Sequence, residues 1–474
     1  MDYKQKYLKY KQKYLRLLKV QKGGEPFLID ILAGLAFSYL FERNQRLLQL
    51  IYTGRQPVMM QPLGNITLNH KYRLNLLGRS SLSVLLATRL VQSDRRNYGF
   101  ELQLAKRIMS RTNKLPEISL PTTAAPLIGH SNSVTSMAFH PKAPLLATGS
   151  CDTTVKLWRL VTTPDGLISS ATCVATLNRE NGCEGHSKTV LSVAFHPTAP
   201  LLATSSNDKT VRLWRLVTTP DGLISSATCV ATLDHSNEGH LDNVISVAFH
   251  PEAPLLATGS GDTTVKLWRL VSTPDGLISS ATCVATLDES NGGHSGSVYS
   301  VAFHPKAPLL ATGSYDSTVK LWRLSSDNSS ATCVATLDKS NGGHREIVTS
   351  IAFHPTAPLL ATGSYDSTVK LWRLSSDNSS ATCVATLDKS NGGHSKSVWS
   401  VAFHPWAPLL ATGSSDYTIK LWRLSPDNSS ATCVATLDES NKGHSDHVFS
   451  VAFHPTAPLL ATSSADNTVK LWKL

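Results

Sequence analysis

The sequence predicts a mainly β chain, a seven-bladed β-propeller preceded by a small α-helical module. Three observations carry this. Gly-His recurs at Gly129-His130, Gly185-His186, Gly239-His240, Gly293-His294, Gly343-His344, Gly393-His394 and Gly443-His444, in steps of 56, 54, 54, 50, 50 and 50 residues. Each pair is followed by the same text, as in GGHSGSVYSVAFHPKAPLLATGSYDSTVKLWRL at 292–324, which holds three strand-like runs, SVAFH, LLATGS and TVKLW, with CVATL following as a fourth. Four strands repeated seven times make a radial array rather than a sandwich, and a period this long points to a propeller. The third observation is a split in charge. Residues 1–128 carry 21 Lys and Arg against 7 Asp and Glu, a net +14, whereas residues 129–474 carry 24 against 27, a net −3. A basic, partner-seeking part therefore belongs to the first quarter, and the repeats show no global charge case for nucleic acid.

In chain order, residues 1–24 come first. The hexapeptide YKQKYL occurs twice, seven residues apart, so Tyr3, Tyr7, Tyr10 and Tyr14 fall in one stripe of a helix crowded by Lys4, Lys6, Lys9, Lys11, Lys13, Arg16, Lys19 and Lys22. Gly23-Gly24 stops it. Physically this is a cationic amphipathic helix, suited to anionic lipid, nucleic acid or an acidic protein groove; the plain alternative is a solvated basic tail. KYLKYKQKYLRL (6–17) resembles a Lys/Tyr-rich start found on proteins of giant DNA viruses of protists, which implies a viral protein located in the host cytoplasm or the virion.

Residues 25–115 read as a helical module of unknown type. LIDILAGLAFSYLF, ERNQRLLQLI, SSLSVLLATRLV and FELQLAKRIMS suit four helices by period and propensity. The apolar stretch 27–41 contains Asp30 and is too short to span a bilayer comfortably. PFLIDILAGLAFSYL (26–40) resembles the start of an F-box, which implies a substrate receptor of a ubiquitin ligase. The Leu32-to-Phe37 spacing is one residue longer than in that motif.

From residue 129 onward the chain resembles the WD-repeat family of β-propellers. Its signature is Gly-His and, downstream, an Asp turn and a Trp closing the third strand. Here the Asp residues are Asp152, Asp208, Asp262, Asp316, Asp366, Asp416 and Asp466, and the Trp residues are Trp158, Trp214, Trp268, Trp322, Trp372, Trp422 and Trp472. After Trp the family usually has Asp; this chain has Arg159 and its equivalents, or Lys473. The resemblance implies that His, a strand Ser or Thr, Asp and Trp hydrogen-bond within each blade as a structural staple. It also implies that the seventh blade takes its fourth strand from 116–128, so the propeller domain is expected over 116–474. Pro121 and Pro126 are compatible with such an outermost strand.

Each repeat thus contains His, Ser/Thr and Asp, for example His294, Thr312 and Asp316, the residue types of a nucleophilic triad. A triad needs one cleft with an oxyanion hole, and seven equivalent copies cannot share one. A second histidine set (His140, His196, His250, His304, His354, His404, His454) precedes proline each time and reads as turn-forming, since no acidic or cysteine partner repeats at ligand spacing. Phosphate-loop, Gly-x-Ser-x-Gly and His-Glu-x-x-His motifs are missing from the sequence. No enzyme, cofactor, metal or small-molecule substrate is expected. Of eight cysteines, six stand in ATCVATL (Cys173, Cys229, Cys283, Cys333, Cys383, Cys433); they read as small buried residues of a reducing, intracellular compartment, in a protein that is not secreted.

Residues 311–344 and 361–394 are identical, so the few positions that vary between repeats stand out. The strand-start position holds Thr135, Leu191, Ile245, Tyr299, Thr349, Trp399 and Phe449. Two residues earlier are Ser133, Thr189, Asn243, Ser297, Ile347, Ser397 and His447, and before the turn Asp are Cys151, Asn207, Gly261, Tyr315, Tyr365, Ser415 and Ala465. In the family these positions converge on the face around the central channel where peptides dock. Tyr299, Tyr315, Tyr365, Trp399 and Phe449 all fall in the last four repeats, with His447 beside them. Exposed aromatics are costly in water and enriched at binding hot spots. The sequence therefore predicts a non-catalytic interaction scaffold that binds a protein or peptide segment across blades four to seven.

Overall fold

A computed structural model describes residues 122–474 apart from 124–125, 163–167, 180–184, 220–223 and 274–276. The basic helix at 1–24, the helical module at 25–115 and its F-box-like stretch lie outside the described residues, which belong to the unit Ile118–Leu474.

Seven antiparallel sheets follow one another. Blade 1 consists of Val134–Phe139, Leu145–Ser150, Val155–Thr162 and Ile168–Leu177. Blade 4 shows the shorter form: Val298–Phe303, Leu309–Ser314, Val319–Leu324 and Ala331–Leu337. Blades 2 and 3 (190–233 and 244–287) follow the first pattern, and blades 5 and 6 (348–387 and 398–437) the second. Blade 7 has Val448–Phe453, Leu459–Ser464 and Thr468–Lys473, and its outer edge is filled by Thr122–Thr123 and Leu127–Ile128, paired Thr122↔Lys473 and Leu127↔Val469. The first and last strands of the described unit thus lie in one sheet, so no open seam remains.

The second strand of every blade, LLATGS or LLATSS, is buried along almost its whole length because it has a neighbour on both edges and a blade on both faces. Its apolar side chains pack between blades rather than within them. Leu145, Ala147, Val155, Leu157 and Leu177 of blade 1 form one cluster with Val190, Val193, Phe195, Leu202 and Trp214 of blade 2, and the pattern repeats around the molecule. Leu127 closes the cluster between blades 7 and 1.

Polar contacts between blades accompany that core. The backbone N–H groups of Val193, Val247, Val301, Ile351, Val401 and Val451 donate to the hydroxyls of Ser136, Ser192, Ser246, Ser300, Ser350 and Ser400 in the blade before. On the face carrying the His-Pro-x-Ala-Pro turns, each turn histidine accepts two backbone N–H groups at Nδ1, as His140 does from Lys142 and Ala143. Its ring then packs against the phenylalanine of the next blade, edge-on in six pairs and tilted in His404–Phe453.

One expectation fails. The cysteines of ATCVATL are not buried: Cys173 is exposed, and Cys229, Cys283, Cys333, Cys383 and Cys433 are half-buried free thiols. They stand on the fourth strand, which has a neighbour on one edge only, so burial is lost on the rim.

Candidate functional site

The face opposite the His-Pro turns is built by two loops per blade. One is the turn after the second strand; the other leads from the fourth strand into the next blade. In the second, Asp288 caps a short 3-10 turn (Glu289–Asn291), Asn291 caps back onto Asp288, and Gly292 takes the left-handed φ of 84°. Gly293 must be glycine, because a Cβ there would lie 2.4 Å from the Asp288 carbonyl oxygen. This geometry delivers His294 into the blade.

The staple is the same in all seven blades. The histidine Nδ1 lies 2.7–3.1 Å from the turn Asp, from His130–Asp152 to His444–Asp466. Nε2 lies 2.7–2.8 Å from a strand Thr (Thr148, Thr204, Thr258, Thr312, Thr362, Thr412, Thr462). The same hydroxyl oxygen accepts the indole N–H at 2.8–3.0 Å. The ionised carboxylate can only accept, which places an N–H on Nδ1; in that tautomer Nε2 accepts the Thr hydroxyl proton while Thr Oγ accepts from Trp. Burial alone would raise each Asp; the hydrogen bonds from His and from the following Thr outweigh it and hold all seven well below the ordinary carboxylate range. His394 is pushed down, chiefly by burial. These threonines are fully buried, so their hydroxyls have no route to a substrate. The arrangement fastens two loops together.

The residue after each turn Asp adopts a left-handed φ of 65–71°: Thr153, Lys209, Thr263, Ser317, Ser367, Tyr417 and Asn467. A tyrosine in that conformation is an outlier among small and polar residues. Tyr417 packs against His447 at 5.3 Å, and Lys396 Nζ lies 5.2 Å from the centre of its ring.

Tyr417 belongs to a continuous aromatic surface. Tyr365 meets Trp399 edge-to-face at 5.0 Å and 76°, Trp399 meets Phe449 at 5.3 Å and 82°, and Phe449 meets His447 at 6.2 Å. Trp399 donates its indole N–H to Ser415 Oγ at 2.6 Å, and His447 donates from Nδ1 to the Ser415 carbonyl, which ties blade 7 to blade 6. In blade 4, Tyr315 is 58% exposed and Tyr299 half-buried. Burial pushes Tyr365 up to about 12, and the neighbouring phenols of Tyr299 and Tyr315 add to it; Tyr299 is raised by burial and then by Tyr315. Tyr365 and Tyr299 therefore remain protonated donors at neutral pH.

Other variable positions do not join this surface. Thr135 and Thr349 at the strand start turn inward, where their hydroxyls donate to Gly149 and Val190, and to Gly363 and Val398. Ile347 is buried. Tyr417 and Lys396 were missed in the sequence; Tyr417 was detectable as the sole aromatic among seven residues after the turn Asp. Among the described residues no group of three or more His, Cys, Asp or Glu is placed to hold a metal ion, and no helix is long and apolar enough to cross a membrane.

Comparison with known proteins adds lineage to this geometry. The family described as "WD domain, G-beta repeat" matches at 122–159, 171–215, 227–269, 281–323, 331–373, 381–423 and 431–473, together more than half of the chain. Pre-mRNA-processing factor 19 homolog 2 of Arabidopsis thaliana is 33% identical over 198 residues, 42% of this chain and 31% of that protein. Nuclear distribution protein PAC1 of Arthroderma otae is 29% identical over 220 residues, 42% of each chain. Coronin-7 of Homo sapiens is 34% identical over 160 residues, 33% of this chain and 15% of that protein. The chain thus spans less than half the length of these relatives.

Proposed function

Since the chain belongs to the WD-repeat family, we propose that it is a non-catalytic protein-interaction scaffold whose ligand is a largely apolar peptide segment or loop, bound across blades four to seven. The observation that carries the proposal is the edge-to-face run Tyr365–Trp399–Phe449. Its rings come from three successive blades and lie on the face formed by the turn-Asp loops. Stacked aromatics of this kind offer rigid apolar area at little entropic cost, and the neighbouring protonated phenols supply donors for peptide carbonyls. The relatives fit a protein-interaction role in general terms; none of their partners is transferred to this chain. The half-buried free thiols suit an intracellular, reducing setting.

For residues 1–22 we propose a sorting or packaging role through an anionic surface, lipid or nucleic acid, on the strength of the charge split; the tag's resemblance points to a viral setting. The ubiquitin-ligase receptor reading depends on 26–40 and is separated by whether an adaptor protein co-purifies with residues 25–115. The scaffold proposal is tested by affinity capture with the full chain and with the Tyr365→Ala/Trp399→Ala double variant. A partner held by the first and lost by the second, with the fold unchanged, supports it. Full retention of every partner contradicts it.

A further inference from the structure

The aromatic face carries donors and a charge that no other described residue satisfies. The phenol hydroxyls of Tyr299 and Tyr365 are half-buried and protonated, yet neither donates to an acceptor among the described residues. At the other end of the ring run, Lys396 Nζ lies 5.2 Å from the centre of the Tyr417 ring and pairs with no carboxylate among the described residues. Tyr417 presents that ring from a left-handed backbone, φ 70°, a conformation that costs a bulky side chain energy. Trp399 between them is not a free donor, because its indole N–H is taken by Ser415 Oγ.

Spacing narrows the backbone that fits. Tyr365, Trp399 and Phe449 stand in ring-to-ring steps of 5.0 and 5.3 Å, so the run covers roughly one turn, about 9 Å, of a polyproline II helix. Residues i and i+3 of such a helix lie on one side and straddle Trp399. In a β-strand, residues three apart point to opposite faces, so a strand cannot set both on the outer rings. An α-helix covers the distance in six or seven residues, but its carbonyls are already bonded along the helix and leave the phenols without acceptors. A polyproline II backbone has no internal hydrogen bonds, and its carbonyls are open to Tyr299 and Tyr365.

We propose that the ligand of this face is a proline-rich segment in the polyproline II conformation, with an acidic residue at its end nearest Tyr417. The proposal rests on the aromatic run being the partner site, and it adds the ligand's backbone conformation and its charge. Tyr365 and Phe449 grip side chains i and i+3 on either side of Trp399. The hydroxyls of Tyr299 and Tyr365 donate to the peptide carbonyls between them. Beyond Phe449 the face turns polar through His447 and Tyr417, which meet at 5.3 Å, and there the unpaired ammonium of Lys396 takes the acidic side chain. A polyproline II segment is already stiff before it binds, so ordering it costs less entropy than ordering a flexible apolar loop.

The test is fluorescence anisotropy on the full chain with short labelled probes: a proline-rich peptide with leucine at every third position and Asp at one end or the other, the same peptides with Lys in place of Asp, and a proline-free peptide of equal apolar content. One of the Asp-bearing proline-rich probes should bind about tenfold or more tighter than the proline-free one. Tyr299→Phe/Tyr365→Phe removes two hydroxyls and keeps the rings, and should weaken that probe by about tenfold. Lys396→Met should bring the Asp and Lys probes to equal affinity. Absence of binding by every proline-rich probe overturns the proposal, as does equal binding of the proline-free probe or full retention by the Tyr→Phe variant. Equal affinity of the Asp and Lys probes for the wild type overturns the acidic end. Trp399→Ala separates this failure from that of the binding face: proline-free binding that is lost in Trp399→Ala overturns the polyproline assignment alone, whereas probe binding that survives it overturns the aromatic surface as well.

Discussion

His354 of blade 5 and Phe403 of blade 6 meet edge-to-face with ring centres 5.0 Å apart. The same contact joins the other turn histidines to the phenylalanine of the following blade, tilted at 56° and 4.7 Å for His404 with Phe453, and His454 with Phe139 completes the circuit from blade 7 to blade 1. Because Nδ1 already accepts two backbone N–H groups, a proton added there has no place without breaking the turn.

Acid should therefore loosen the ring at its blade junctions. Burial lowers His140, His196, His250, His304, His354 and His454 below 6.5, and takes His404 to about 4. A folded-state value below the unfolded one means that the unfolded chain binds more protons in between, so stability falls as pH drops below about 6.5. The seven staple aspartates, also lowered, add a second loss only below about pH 4, when the unfolded carboxylates take up protons. Melting curves between pH 7.5 and 3.5 should show a decline already under way at pH 5.5. A flat profile down to pH 4.5 would contradict the histidine contribution.

Within the staple, Thr362→Val preserves shape but removes the hydroxyl shared by His344 and Trp372. Two buried nitrogens then lose their partner, at about 1–3 kcal/mol each. Urea unfolding should show the loss, and Thr356→Val on the exposed turn should not.

Packing between blades gives a prediction of opposite signs at one position. A Cβ on Gly313 would stand 2.7 Å from Val348 Cγ1 of the next blade, so Gly313→Ala should cost about 1–3 kcal/mol by overpacking. Blades 2 and 7 carry serine there, and the hydroxyls of Ser205 and Ser463 are buried without a hydrogen-bond partner among the described residues. Ser463→Gly should accordingly raise the melting temperature, a sign that thermal unfolding reads directly.

For the basic start, removal of residues 1–22 should leave the melting temperature of the propeller unchanged while reducing adsorption to anionic vesicles or to nucleic acid. Co-sedimentation of the full and shortened chains with vesicles, and retardation of nucleic acid by each, would show it.

Much of this molecule was legible because its repeats are nearly uniform. The 22-residue separation of His from Asp recurs unchanged seven times, so one set of contacts had to serve every blade. Uniformity also exposed Tyr365, Trp399 and Phe449, whose bulk departs from the pattern. What depends on the neighbouring blade was not legible. Thr349 looks like a free strand-start residue until the Val398 carbonyl beside it is known. The arginine after Trp looks like a simple departure from the family pattern until its acceptor, more than 50 residues away, is seen. The cysteines were misjudged for a related reason: composition suggested burial, and only strand order puts them on the rim.

The central claim is that the Tyr365–Trp399–Phe449 surface binds the partner. The most direct measurement is the dissociation constant of the captured partner's minimal peptide for the wild-type propeller and for Tyr365→Ala/Trp399→Ala, by calorimetry at matched pH and salt. Removing two adjoining aromatic anchors should weaken binding by about 2 kcal/mol or more, roughly thirtyfold, with the circular dichroism and melting temperature preserved. An unchanged dissociation constant in a folded double variant would contradict the claim and move the binding site off this face.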